Sequence, residues 1–190
     1  MSEGWNQTLE VIKTRYACRD YSDRPVDREV LRLIAEAAVQ APSAMNRQPW
    51  LVVVVSDKAT VDDLDGKGLA ALAASDQAGY ERIMGRGGKL FYDAPAMIFV
   101  AKQKVGGVFP ADLDCGIVTA NIVLAARSLG VDSVVCGLAG YLFDGPQADE
   151  VKKQLGFPPH FDFAISVLLG YAASGPGAPH QPDLGKIVWL

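Results

Sequence analysis

Five consecutive apolar residues, Leu51-Val52-Val53-Val54-Val55, follow a proline and a tryptophan. A run this short and this rich in β-branched side chains is a strand, and its lack of alternation predicts burial on both faces. A strand buried on both faces needs helices above and below its sheet. Ala96–Ala101, introduced by Pro95, and Ala164–Leu169 are further strands, and Val134–Cys136 is a short extended piece. Between them lie helical segments. Trp5–Lys13 is a short one; Arg28–Ala41 carries Val30, Leu31, Ile34 and Ala38 on one face, capped by Asp27 and ended by Pro42. Asp112–Leu129 is a long helix with Ile117, Leu124 and Leu129 on its apolar face and Gly130 as its C-terminal cap; Gln147–Leu155 is a small one closed by Gly156. Thr60–Arg86 is alanine-rich and helix-permissive but poorly periodic. Ile187–Leu190 reads as a strand without a local partner, so it needs a sheet edge that a second subunit can supply. With 190 residues the expectation is one domain, residues 1–190, of the α+β class: a mixed sheet between helical layers.

Charge excludes one broad class of partner. The net charge is -4 and the isoelectric point about 5.1, which argues against nucleic acid, whose backbone needs a basic face, while a local basic cluster could still hold one small anion. The N-terminus shows no signal-peptide pattern, and no apolar run approaches the ~20 residues of a membrane helix. Cys18, Cys115 and Cys136 have no metal-like spacing and read as reduced residues, which points to a cytoplasmic protein. His160 and His180 are too few and too far apart for a triad or a metal site, and His160, after two prolines, reads as a loop residue.

Two segments carry candidate chemistry. In Arg15-Tyr16-Ala17-Cys18-Arg19, either a strand or a helix brings both guanidinium groups to one side, around a small alanine. Paired arginines suit a phosphate; a solvated basic edge is the plainer alternative. In Pro42-Ser43-Ala44-Met45-Asn46-Arg47-Gln48-Pro49-Trp50, prolines stiffen a loop bearing three short polar side chains. Amides there offer paired donors and acceptors; a helix stop followed by a core tryptophan explains the same residues. Gly85-Arg86-Gly87-Gly88 lacks phosphate-loop spacing and reads as a flexible connection.

Taken in order, Arg15-x-Ala17-x-Arg19, then Pro42-Ser43-x-x-Asn46-x-Gln48-Pro49-Trp50 before a strand, resemble the FMN-dependent nitroreductase family. Asp114–Leu129 is similar to that family's long core helix, 130–138 to its flavin-facing segment, and Ala164–Tyr171 to the strand ending in its Gly-Tyr pair. The resemblance implies an α/β/α sandwich with a mainly antiparallel sheet, and a homodimer with a C-terminal strand lent to the partner and FMN at the interface. It implies that Arg15 grips the phosphate, that Ala17 touches the phosphate–ribityl stretch, that Arg19 lies near N1 and O2 of the ring, and that Tyr16 is among the cofactor-binding residues. Pro42, Ser43, Ala44, Asn46 and Gln48 would come from the partner subunit. Val135, Cys136, Gly137 and Leu138 would pass along the ring, with a backbone N–H of Gly137 or Leu138 facing N5. NAD(P)H would reduce the flavin, which would then reduce a nitroaromatic or quinone, with no side-chain nucleophile and no metal.

Two residues depart from the family pattern. Ala17 stands where a serine is usual, and His180 where an arginine usually meets the phosphate, with Lys186 as a substitute. Tyr80, Phe91 and Phe109 are candidates for the acceptor side, with core packing as the alternative. Rival readings are a reductive dehalogenase, a flavin-fragmenting relative, a flavin carrier without turnover, and a protein for another ligand.

Overall fold

The computed structural model describes residues 6–104 and 111–190. Its first helix, α1 (Gln7–Thr14), is capped by the Asn6 side chain at Leu9 N–H, while Trp5 lies outside the described residues. Helix α2 (Arg28–Val39) begins where Asp27 accepts from Glu29 N–H and buries Leu31, Ile34 and Ala38, the expected face. After a 3-10 turn at Ala44–Asn46 comes strand β1 (Trp50–Val55), then α3 (Lys58–Ser75) and α4 (Gln77–Met84). Strand β2 (Ala96–Gln103), helix α5 (Ala111–Ser128), strand β3 (Asp132–Cys136), helix α6 (Ala148–Gln154) and strand β4 (Phe161–Gly170) complete the fold.

The strand order is β1-β2-β4-β3, and every neighbouring pair is antiparallel. The parallel component is a lone bridge between Ala17 and Ser133 at the β3 edge. Alternating side chains split the core in two. Ile98, Val100, Val167 and Leu169 pack against α2 and α5, whereas Met97, Phe99, Val134 and Leu168 face α3, α4 and α6. The expected sandwich is present.

Two expectations need correction, and two further segments take a definite form in the single chain. β1 is an edge strand, so it is only half-buried and Val54 is exposed. Hydrophobicity without alternation cannot tell an edge from a centre when the strand's outer residues are covered in part. In α5 the deepest residues are Val118, Ile122 and Ala126; Ile117 and Leu124 are half-buried and Leu129 is exposed. That helix is apolar nearly all round, so its sequence does not single out the face that packs on the sheet. The poorly periodic segment after residue 57 is two helices, joined at Asp76, which ends α3 and caps α4 through Gly79 N–H at 2.8 Å. Finally, Ile187–Leu190 forms no strand in the single chain, and all four residues are exposed.

Candidate active site

The sequence left the Arg15–Arg19 segment open between helix and strand; the structure makes it extended. α1 ends at Arg15, whose N–H still reaches Val11 C=O at 3.1 Å, and the chain then runs beside β3 with Cys18 N–H donating to Ser133 C=O at 3.0 Å. Alternation does the rest. Tyr16 and Cys18 are buried in the core, while Arg15 and Ala17 stay half-buried and Arg19 exposed on the other side. Tyr16 therefore turns its side chain into the core. Its hydroxyl is buried with no partner in hydrogen-bonding geometry among the described residues. Burial first, and the nearby Asp132 carboxylate second, push its pKa up to about 12.

The segment is anchored from both sides. Arg127 on α5 donates to Thr14 Oγ1 at 3.2 Å and lies 3.8 Å from the Asp132 carboxylate. Asp132 in turn accepts from Ala172 N–H at 3.0 Å. Farther on, Ser22 N–H reaches Tyr171 C=O and Ala173 N–H reaches Asp20 C=O. The tail then crosses so close to Tyr16 that a Cβ on Gly177 would lie 2.7 Å from its ring. His180 follows three residues later and is exposed, as is Lys186.

Near the end of β3, Val135 is exposed although it sits in the strand, and beyond it Leu138 is half-buried. Gly137 between them is exposed, and a Cβ on it would meet nothing within 4 Å. These residues leave an apolar, open surface. Cys136 does not belong to it through its side chain, which is buried; burial also raises its thiol pKa. The Cys18 and Cys115 thiols are likewise buried and raised, Cys115 to about 11.

The sequence missed Arg86 and Lys89. A cleft of about 170 Å³ brings them beside Arg19, with Tyr92, Asp20 and Asp93. Gly85 caps α4, and Gly87 and Gly88 take positive φ to turn the chain, so these glycines end a helix and aim Arg86. The guanidinium donates to the Tyr92 hydroxyl and lies 4.3 Å from the centre of its ring. Tyr92 and Asp93 themselves have φ of 53° and 58°, a left-handed geometry that costs side-chain-bearing residues energy. Buried Asp65 on α3 holds this turn by accepting Phe91 N–H at 2.6 Å. The legible signal was an arginine among glycines between a helix and a Pro-led strand. Tyr80 is half-buried against the core and Phe91 fully buried, while Phe109 lies outside the described residues. His160 is an exposed loop residue, as expected.

The second predicted segment is elsewhere. Met45, Asn46 and Gln48 all have left-handed φ, of 55°, 53° and 49°. Ser43 Oγ accepts Gln48 N–H at 2.9 Å, and the Gln48 amide donates to Asn46 Oδ1 at 3.1 Å. Pro49 and Trp50 are buried, so a strained, exposed loop stands on a fixed base. Trp50 is level with Lys102 and Asp162, whereas Ser133 pairs with Leu169 at the other sheet edge. Three strand spacings and seven residues separate those corners, roughly 25 Å at about 4.8 Å per strand and 3.3 Å per residue. One chain does not bring the two segments together.

No group of three or more His, Cys, Asp or Glu that could hold a metal occurs among the described residues, and no described helix is long and apolar enough to cross a membrane. The nitroreductase family model matches residues 12–171. A nitroreductase with bound FMN from Desulfitobacterium hafniense is 48% identical, with a TM-score of 0.90 over 98% of this chain and 99% of that one. One from Bacteroides fragilis, also with bound FMN, is 28% identical, with a TM-score of 0.87 over 98% of this chain and 100% of that one. A protein of Methanothermobacter thermautotrophicus, provisionally named NADH dehydrogenase/NAD(P)H nitroreductase, is 31% identical over 94% of this chain and 84% of its own length.

Proposed function

The chain belongs to the nitroreductase family, and from that premise we propose that it is an FMN-dependent oxidoreductase, residues 1–190 forming one FMN-binding domain of a cytoplasmic homodimer. When bound, FMN supplies hydride transfer between NAD(P)H and an electron-poor acceptor such as a nitroaromatic or quinone.

The residues fit such a group. Arg15 and Arg19 offer permanently charged planar donors from one side of an extended segment, and Val135 and Leu138 offer an apolar face beside it. Arg15 would hold the phosphate, with Ala17 beneath the ribityl chain. Arg19, joined by Arg86 and Lys89, would put positive charge near N1 and O2, favouring the reduced ring. Gly137 leaves room for a flat ring to approach the backbone, so an N–H of Gly137 or Leu138 would donate toward N5. Pro42, Ser43, Ala44, Asn46 and Gln48 would close the pocket from the partner. His180 would approach the phosphate from the tail that crosses Tyr16.

The observation that carries this reading is the separation of the two motif segments to opposite corners of the sheet, which a second copy would resolve. The free, buried cysteines accord with a reducing compartment. The test is the absorption spectrum of the protein loaded with FMN, before and after one equivalent of NADH or NADPH without oxygen. Bleaching of the flavin band, then recovery on adding a nitroaromatic or quinone, is expected. A yellow protein that never bleaches would make it a flavin carrier.

A further inference from the structure

Behind Leu138 a second cleft opens, of about 380 Å³, between α4 and the segment that follows β3. Arg82 and Arg86 line one wall and Leu138 and Tyr141 the other. We propose that this cleft binds the anionic group of a substrate, a carboxylate or phosphate carried on a planar molecule, with Arg82 reading the charge. The proposal rests on the flavoenzyme reading above and specifies which substrates that site prefers.

Charge and placement carry it. Arg82 lies in the last turn of α4 and Arg86 in the turn that follows it, and both line the cleft. Arg86 is oriented by a phenol, through its bond and stacking to Tyr92. The carboxylate in the cleft, Asp76, is already engaged: it caps α4 through Gly79 N–H and stands 3.6 Å from Arg82. The Arg82 side chain is 71% exposed. An exposed ion pair at that distance is weak and exchanges readily for an incoming anion. Two forks against one engaged carboxylate leave the cleft cationic, in a protein whose net charge is -4. A ring lying against Leu138 thus points a substituent at paired guanidinium groups, which bind carboxylates and phosphates in bidentate fashion.

Two sources can supply that anion, an acceptor's own carboxylate or the phosphates of the reduced nicotinamide, and separate arms tell them apart. In the first, benzoate and its neutral isostere benzamide are titrated calorimetrically into the homodimer, with and without FMN. Wild type should favour benzoate, and Arg82→Gln should cut the benzoate-to-benzamide affinity ratio about tenfold, the scale of one charge-assisted fork. Arg82→Lys, which keeps charge without the fork, should restore part of it. Turnover of 4-nitrobenzoate against 4-nitrobenzamide should shift the same way in kcat/KM. In the second arm, the NADPH-to-NADH ratio of kcat/KM is compared between wild type and Arg82→Gln. A change confined to this ratio assigns the cleft to the 2'-phosphate. If both ratios survive Arg82→Gln, the cleft does not read charge and the inference is wrong. Failure of FMN uptake or bleaching would sink the flavoenzyme reading instead, and the FMN-free titration would still decide the cleft.

Discussion

Ala17 is a natural deletion experiment: the small side chain is kept and a hydroxyl is absent from the position where the family usually has serine. It is half-buried and lies between two arginines on a segment bonded to β3. Restoring the hydroxyl adds a donor without disturbing the backbone, so Ala17→Ser should tighten FMN binding by roughly 0.5–1.5 kcal/mol, read by quenching of flavin fluorescence. Arg15→Gln should act in the opposite direction, weakening FMN about tenfold or more, because the proposed charged donor to phosphate would be lost. Asp65 makes a prediction of a different kind. Burial holds its carboxyl above the ordinary 3.8, against the lowering by Phe91 N–H. The folded chain therefore keeps this proton more tightly than the unfolded chain does. The resulting stabilisation is fully present below the ordinary value and is lost as pH rises through the raised one. Asp65→Asn has no such proton, so urea midpoints measured from about pH 3.5 to 7 should show a flatter fall than wild type. An unchanged slope would mean that other carboxylates set it.

At the scale of elements, the N-terminal strap and the end of β4 are one mechanical unit. Tyr21 bridges to Ala172 and its hydroxyl donates to Leu168 C=O at 3.3 Å. Gly170 ends β4 with so little space that a Cβ would lie 2.6 Å from the Tyr21 ring and 2.7 Å from Pro95. The proline ring cannot rotate away, so Gly170→Ala should destabilise by roughly 1–3 kcal/mol and loosen the strap. A lower Tm together with faster FMN loss is the expected pair of readouts. These elements also show what a sequence can disclose. Helix α2 was legible down to its cap, because Asp27 and the spacing of Leu31, Ile34 and Ala38 are local signals. The Arg15–Arg19 segment was legible in composition but not in conformation, since its extended form comes from Ser133, more than a hundred residues away. Arg86 was missed for a related reason: glycines that look like slack are, in the fold, a helix end held by Asp65 and Tyr92. The loop at Met45–Gln48 was found through its residue types, yet of its three left-handed residues only Asn46 is of a type that favours that geometry.

At the scale of the molecule, the open question is what covers the tail. Leu184, Ile187, Val188, Trp189 and Leu190 are all exposed, Trp189 at 90%. A run of large apolar residues held in water is unfavourable by about 25 cal/mol for each Å² that could be buried. The tail leaves the body where it crosses Tyr16, so it departs from beside the arginine segment. The loop at Ser43–Gln48 sits at the opposite corner of the sheet. A second copy that donates its loop to one site and receives the tail elsewhere would resolve both facts with a single two-fold arrangement, since each contact would then occur twice. Removing residues 184–190 should therefore act on assembly and cofactor together. The shortened chain should keep its helical signal, because neither core contains these residues. In sedimentation velocity it should shift from dimer toward monomer at micromolar concentration, and it should lose FMN on gel filtration. Restoring the protein concentration should restore the flavin, because in the proposed dimer the loop that completes the pocket would arrive with the partner. A truncated protein that stays dimeric and yellow would show that the tail is dispensable and that another face joins the two copies.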